Sequence, residues 1–272
     1  MSDGKQLEYE EEEQSVNQQR IPRDDGTELP IKEGAVFGAL AVVVTYLAHF
    51  FLTVVASAQM TPVVNTTGDT PVATDLVASW TAAGWSYLAT FGVGFKASGE
   101  AIALGDIPNN PAALANSPAS LANSPASLAN SPFFLSGAVL FAVTVGAVTA
   151  AGYGIARYTD ADGPAEAAKA GITVVPPYLA FGVITALLMT ATFSDYATVF
   201  SILESVPLLQ TDQFINVQEQ TASSNITVKP STGDAVLFAG IVFPAIFAVV
   251  GSLITQGEEV IDAAVAKVEE LT

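Results

Sequence analysis

The stretch AVFGALAVVVTYLAHFFLTVVAS, residues 35–57, decides the fold class of this chain. It is apolar almost throughout, and no charged residue lies between Glu33 and Asp69. A helix needs about 20 such residues to cross a bilayer, and a backbone in hydrocarbon must satisfy its own hydrogen bonds. The stretch therefore predicts a transmembrane helix over residues 34–57.

Three further runs have the same character, because they are rich in Ala, Val, Leu, Phe and Gly and contain no charge. They predict spans over residues 133–156, 170–193 and 235–255. Four such runs in one chain argue against buried helices of a soluble protein. We therefore expect an all-α membrane protein built as a four-helix transmembrane bundle.

The amino-acid composition excludes several classes of protein and of binding site. The 272 residues include 27 acidic and 9 basic side chains, a formal net charge of −18, and an acidic chain lacks the basic footprint that nucleic-acid binding needs. The absence of cysteine excludes disulfide scaffolds, thiolate zinc sites and cysteine nucleophiles. The sequence contains no nucleophile–base pair, metal-ligand set or cofactor fingerprint, so we expect neither an enzyme nor a bound metal or cofactor.

A fifth uncharged run, residues 76–95, is less apolar and contains Trp80 and Trp85. Cytoplasmic segments of membrane proteins are enriched in Lys and Arg, so a count of these residues on each side indicates whether residues 76–95 cross the bilayer. With four spans and a cytoplasmic amino terminus, seven basic residues lie inside and only Lys96 and Lys229 outside, whereas five spans give six against three. We therefore interpret residues 76–95 as an interfacial or re-entrant aromatic segment, with its tryptophans at headgroup depth.

The four-span interpretation assigns the rest of the chain to two sides of the membrane. Residues 1–33 are predicted to be an acidic, disordered cytoplasmic tail, because so few apolar residues cannot form a core. Residues 157–169 are a cytoplasmic loop, and residues 256–272 a cytoplasmic amphipathic helix. The outer loops are residues 58–132 and 194–234, and the second is expected to contain a short helix followed by a short β-hairpin.

The outer loops contain a repeat and two short patterns. A heptapeptide repeat of Pro, Ala, Leu, Ser and Asn covers residues 111–131, and its prolines forbid a continuous helix, so we assign it no chemistry. Asn65 and Asn225 each stand in an N-x-Thr pattern, which predicts possible N-glycosylation sites. Both would lie outside in the four-span topology.

His49 is the only histidine, and it lies near the middle of the first span. Thr45, Tyr46 and Thr53 stand at i−4, i−3 and i+4 from it, so one polar stripe follows the helix. An ionisable group in a membrane suggests an ion or solute pathway. The other interpretation is a hydrogen bond between helices that fixes their packing. No span contains a carboxylate partner, and this favours packing.

Small residues and prolines also mark the spans. Small residues at four-residue spacing allow close helix contact, and the predicted helix-packing positions are Gly34, Gly38, Gly146, Ala150 and Gly154. Pro176 and Pro177 interrupt the third span and Pro244 the fourth. We interpret these prolines as kinks and not as the broken helices of a transporter, because the spans contain no acidic group.

The acidic polar segments, the spans rich in Ala, Val and Gly, and the segment Trp80 with Gly84-Trp85-Ser86-Tyr87 together resemble uncharacterised multi-span membrane proteins of halophilic archaea. The resemblance implies a location in the cytoplasmic (cell) membrane with outer loops that face high salt. It implies no activity.

Two functions follow from the sequence. The favoured one is a structural or accessory subunit that contacts the lipid bilayer and assembles with other membrane proteins, or with itself, through transmembrane faces and helix 258–271. The alternative is a small channel or carrier for an ion or small solute, with a pathway near His49.

Overall fold

The computed structural model describes residues 29–61, 63–65, 71–74, 76–115 and 136–257. It is mostly helical, and four of its helices are long and apolar enough to cross a membrane, namely Ile31–Gln59, Ser136–Tyr158, Pro164–Leu188 and Thr232–Ile254. We call them the first to fourth spans. By length and composition they are the helices of a multi-pass membrane protein, as the sequence predicts. The tail up to residue 28, the repeat beyond residue 115 and the chain from residue 258 lie outside the described residues.

The helices in chain order are α1 Ile31–Gln59, α2 Ser79–Thr90, α3 Pro111–Ala115, α4 Ser136–Tyr158, α5 Pro164–Ile172, α6 Val175–Leu188, α7 Tyr196–Ser205, α8 Thr211–Phe214, α9 Thr232–Asp234 and α10 Phe243–Ile254. The third span consists of α5 and α6. The fourth consists of α9, a π-helical stretch Ala235–Val242 and α10. α3 begins at the first proline of the repeat, and the Asn110 side chain caps it by accepting a hydrogen bond from the Ala112 amide at 3.0 Å.

Prolines mark the interruptions in both irregular spans. The third span breaks at Thr173 and Val174, directly before the helical turn that contains Pro176 and Pro177. In the fourth span the π-helical stretch ends at Val242, and Pro244 stands in the first turn of α10. A proline has no amide hydrogen to donate, so the preceding turn rearranges its hydrogen bonds.

The third span differs from its predicted bounds at both ends. It was expected over residues 170–193, but the structure starts it at Pro164 and ends it at Leu188. Gly163 and Pro164 start the helix before the charge-free run begins, and Ala191–Phe193 leaves it to form a strand. The loop predicted over residues 157–169 is therefore short, since most of it belongs to the second and third spans.

Glycines bring the spans into close contact. A side chain at Gly152 in the second span would collide with the carbonyl of Ala248 in the fourth. One at Gly251 would collide with the carbonyl of Thr149 in return. These two contacts hold the second and fourth spans backbone to backbone.

In the part of the chain that the structure describes, eight short strands lie outside the spans: β1 Val63–Asn65, β2 Pro71–Ala73, β3 Phe95–Ala97, β4 Glu100–Ile102, β5 Ala191–Phe193, β6 Ile215–Asn216, β7 Thr221–Ala222 and β8 Ile226–Pro230. β3, β4, β5 and β8 form one antiparallel sheet in the order β4-β3-β8-β5. β3 and β4 belong to the segment between the first and second spans, and β5 and β8 to the segment between the third and fourth. The sheet therefore joins the two segments at one end of the bundle.

The second of these segments contains a helix and a hairpin, as the sequence predicts. α7 occupies Tyr196–Ser205, and Asp195 caps it by accepting from the Thr198 amide at 2.8 Å. The hairpin is smaller than expected, because β6 pairs only with β7. β8 instead pairs with β3 and β5. α7 and the sheet pack on one hydrophobic core, which includes Trp85 of α2, Val199 and Ile202 of α7, and Ile226 of β8.

Candidate functional site

The polar stripe of the first span faces the inside of the bundle. Thr45, His49 and Thr53 are fully buried, and Tyr46 is half-buried beside them. Apolar side chains on the remaining faces of the helix are exposed, as expected for a surface in contact with lipid. They include Val43, Val44, Leu47 and Phe51.

His49 joins three helices. Its Nδ1 lies 2.7 Å from the hydroxyl of Ser86 in α2, and its Nε2 lies 3.1 Å from the hydroxyl of Thr144 in the second span. A neutral imidazole has one N–H donor and one acceptor nitrogen, and each hydroxyl can donate or accept, so both ring nitrogens are satisfied in either tautomer. The Tyr87 ring packs edge-on against the imidazole, with 5.8 Å between ring centroids.

The same stripe anchors the start of α2. The Thr53 hydroxyl lies 3.0 Å from the His49 carbonyl oxygen and 3.2 Å from that of Ser79. The Ser57 and Ser79 hydroxyls are 2.9 Å apart, and the Tyr46 hydroxyl donates to the Trp80 carbonyl at 3.2 Å. Thr45 differs, because within the described residues its hydroxyl donates only to the Ala41 carbonyl of its own helix.

α2 is buried along most of its length, from Thr81 to Leu88. Twelve residues of helix measure about 18 Å, which is too short to cross a hydrocarbon core of about 30 Å. Trp85 is fully buried and donates its indole N–H to the Met189 carbonyl at 2.7 Å, whereas Trp80 is 48% exposed. Trp85 therefore packs into protein, and the location of both tryptophans at headgroup depth stays a prediction.

Sequence reasoning identified the stripe but missed its partners. Ser86 lay in a segment that we interpreted as interfacial, and Thr144 resembles any other threonine in an Ala- and Val-rich span. A usable signal was present, because a buried histidine needs polar partners on neighbouring elements. Within the predicted second span, 133–156, few side chains other than Thr144 and Thr149 qualify.

A second group of hydroxyls lies next to this site without hydrogen-bond partners. Among the described residues, the hydroxyls of Tyr87, Tyr178 and Thr185 are buried and unpaired. Tyr178 and Thr185 are seven residues apart on one face of the third span, and Gly84 of α2 lies against Thr185. Tyr87 packs its ring on Phe181 of the same span, with 4.9 Å between centroids.

The small residues divide into two groups. Gly34 and Gly38 of the first span lie against Thr173 and the Val174 carbonyl of the third, and Gly154 lies against Phe37. Gly146 and Ala150 are instead exposed on the outside of the second span. An added side-chain carbon at Gly146 would meet nothing within 4 Å.

The structure describes the side chain of one of the two predicted glycosylation residues. Asn225 is exposed in the segment that leads into β8. Asn65 lies in β1, whose side chains are outside the described residues.

Comparison with known proteins places the chain in a family but gives it no activity. No curated protein and no solved structure matches it. One family model matches residues 13–259, which cover all four spans and the sheet. The chain therefore belongs to DUF7978, a family of unknown function.

Proposed function

We propose that this protein is a structural or accessory subunit of the cell membrane, which assembles with other membrane proteins or with further copies of itself. The observation that carries the proposal is the pair of hydrogen bonds that the His49 imidazole forms. Its two ring nitrogens bond to Ser86 and Thr144, so the histidine of the stripe links three helices within the chain. Hydrogen bonds of this kind hold helices together in membranes.

The outside of the second span supports assembly. Ala142, Gly146 and Ala150 are exposed and stand at four-residue spacing, which gives a shallow surface on which another helix can approach closely. The predicted amphipathic helix 258–271 would add a second contact on the cytoplasmic side.

Enlarging Gly146 tests assembly without disturbing the bundle. Purified in a mild detergent, the wild type is expected to migrate as an assembly larger than one chain, and Gly146→Leu is expected to migrate as a single chain with unchanged Tm. Leu47→Phe, which enlarges an exposed side chain of the first span, is the control and should leave the assembly intact. A monomeric wild type, or an unchanged assembly in Gly146→Leu, would contradict the proposal.

The alternative, a channel or carrier with its pathway near His49, is favoured by one observation. The Tyr87 ring packs on the imidazole, and its hydroxyl, like those of Tyr178 and Thr185, is buried and unpaired among the described residues. Liposomes that contain the protein and a pH-sensitive dye separate the two functions. A wild-type flux that disappears in His49→Gln supports transport, because glutamine keeps hydrogen bonding but does not titrate near neutrality. Equal leakage with and without protein supports the subunit.

The proposal includes an orientation. Both termini lie in the cytoplasm, and the sheet, α7 and Asn225 lie outside in a high-salt medium, as the resemblance to halophile membrane proteins implies. The sheet that joins both connecting segments supports their location on one common side of the membrane, and the count of basic residues supports the outside as that side. Mass spectrometry of the native protein tests glycosylation at Asn65 and Asn225.

A further inference from the structure

Two lysines are brought together on the four-stranded sheet. Lys96 of β3 stands directly opposite Lys229 of β8 in the antiparallel register. Both side chains are exposed. Directly opposed residues of an antiparallel pair have Cβ atoms about 5 Å apart, and like charges in this position repel each other.

Among the described residues, the strand positions on the face that bears these lysines include no acidic residue, and a carboxylate lies at the edge of the face, where Asp234 accepts a hydrogen bond from the Gly94 amide at 3.4 Å. The other strand residues on this face are Ala101, Thr192 and Thr227, and the two threonine hydroxyls lie 3.1 Å apart. Glu100 belongs to the other face, since it alternates with Ala101 and shares the side of the buried Ile102. In a chain with 27 acidic and 9 basic residues, two directly opposed lysines with no acidic residue beside them on the strands are unusual.

The pair lies close to the ends of two spans. Lys229 precedes the start of the fourth span at Thr232 by three residues, which is about 10 Å of extended chain. The Ser231 amide donates to the Gly94 carbonyl at 2.8 Å, which ties the start of β3 to the same point. The third span ends at Leu188, three residues before β5.

Lysines at the end of a span reach the polar layer of the bilayer, because the long side chain extends its ammonium group toward it. That layer contains the lipid phosphates, and ammonium groups bind phosphate through charge-assisted hydrogen bonds. Among the described residues no carboxylate forms an ion pair with Lys96 or Lys229, so both charges are available to an external anion.

We propose that Lys96 and Lys229 form a binding site for the phosphate group of an anionic membrane lipid, at the sheet-bearing end of the third and fourth spans. The bound phosphate neutralises the repulsion between the two ammonium groups and fastens the sheet to the bilayer. This site is independent of the proposed subunit role, because neither Gly146 nor His49 takes part in it.

The test compares the Tm of the full-length protein in neutral detergent with added phosphatidylglycerol, phosphatidylcholine or inorganic phosphate, at the lowest salt that keeps the wild type folded. Phosphatidylglycerol is expected to raise the wild-type Tm by about 2–4 °C. Phosphatidylcholine and inorganic phosphate are expected to leave it unchanged. A response to inorganic phosphate equal to that of the lipid would overturn the lipid assignment.

The variants separate binding from a structural role. K96Q/K229Q should lose the response to phosphatidylglycerol, and without lipid it should be at least as stable as the wild type, since the repulsion is removed. K96R/K229R should keep the response. K32Q/K169Q removes two exposed lysines from the other end of the bundle and should respond like the wild type. An unchanged response in K96Q/K229Q, an equal loss in K32Q/K169Q, or destabilisation of K96Q/K229Q without lipid would each refute the site.

Discussion

At the scale of single residues, the polar side chains of the stripe in the first span form hydrogen bonds with different kinds of partner. His49 and Thr53 reach other elements, whereas Thr45 bonds only to its own helix. Helical periodicity predicts that these residues share a face. It cannot predict which neighbouring element meets that face, and this is why Ser86 and Thr144 were missed.

Substitutions of His49 should therefore have small, graded effects on stability. A hydrogen bond between membrane helices contributes about 0.6 kcal/mol on average. His49→Leu loses two such bonds and is expected to lower the free energy of unfolding by about 1 kcal/mol. His49→Gln keeps part of the bonding and should lose less. Thermal unfolding in detergent measures both.

Thr144→Val and Thr45→Val provide a matched pair for this prediction. Each removes one buried hydroxyl from a span and keeps the side-chain volume, but only Thr144 bonds to His49. We expect Thr144→Val to lower Tm and Thr45→Val to leave it unchanged. Equal losses in the two variants would show that the contact between His49 and Thr144 contributes nothing to stability.

At the scale of elements, hydropathy identified four spans but placed the ends of the third incorrectly. Charge-free runs locate hydrocarbon, whereas helices begin and end where the backbone allows. Pro164 starts the third span within a charged segment, and the pairing of Ala191–Phe193 with β8 ends it early. That pairing joins residues more than 30 positions apart, and no local pattern contains it.

Glycines that look alike in sequence should behave in opposite ways. Gly152→Ala puts a methyl group against the Ala248 carbonyl, a backbone atom that cannot move alone, so the second and fourth spans must separate. We expect a loss of about 1–3 kcal/mol, typical of overpacking, seen as a lower Tm. Gly146→Ala meets open space and improves helix propensity, so its Tm should equal or exceed that of the wild type. A stable Gly152→Ala would contradict the close contact.

At the scale of the whole molecule, the topology depends on whether the segment that contains α2 crosses the bilayer. If residues 76–95 crossed the bilayer, everything after them would change sides. The count of basic residues favoured four spans, and the structure adds one independent argument, because the 12 residues of α2 are too few to cross the hydrocarbon core.

The orientation of the four spans can be tested directly, because the chain has no cysteine and each introduced thiol is the only one present. Asp162→Cys lies in the turn between the second and third spans, and Gln220→Cys lies between β6 and β7. Both positions are exposed, so neither substitution disturbs a core. In intact cells a membrane-impermeant thiol reagent should label Cys at position 220 and not at 162, and lysis should expose both. The reverse pattern would contradict the predicted topology, because it requires either a fifth crossing at residues 76–95 or an amino terminus outside. Labelling of both in intact cells would refute the four-span topology, because a single crossing separates Asp162 from the hairpin.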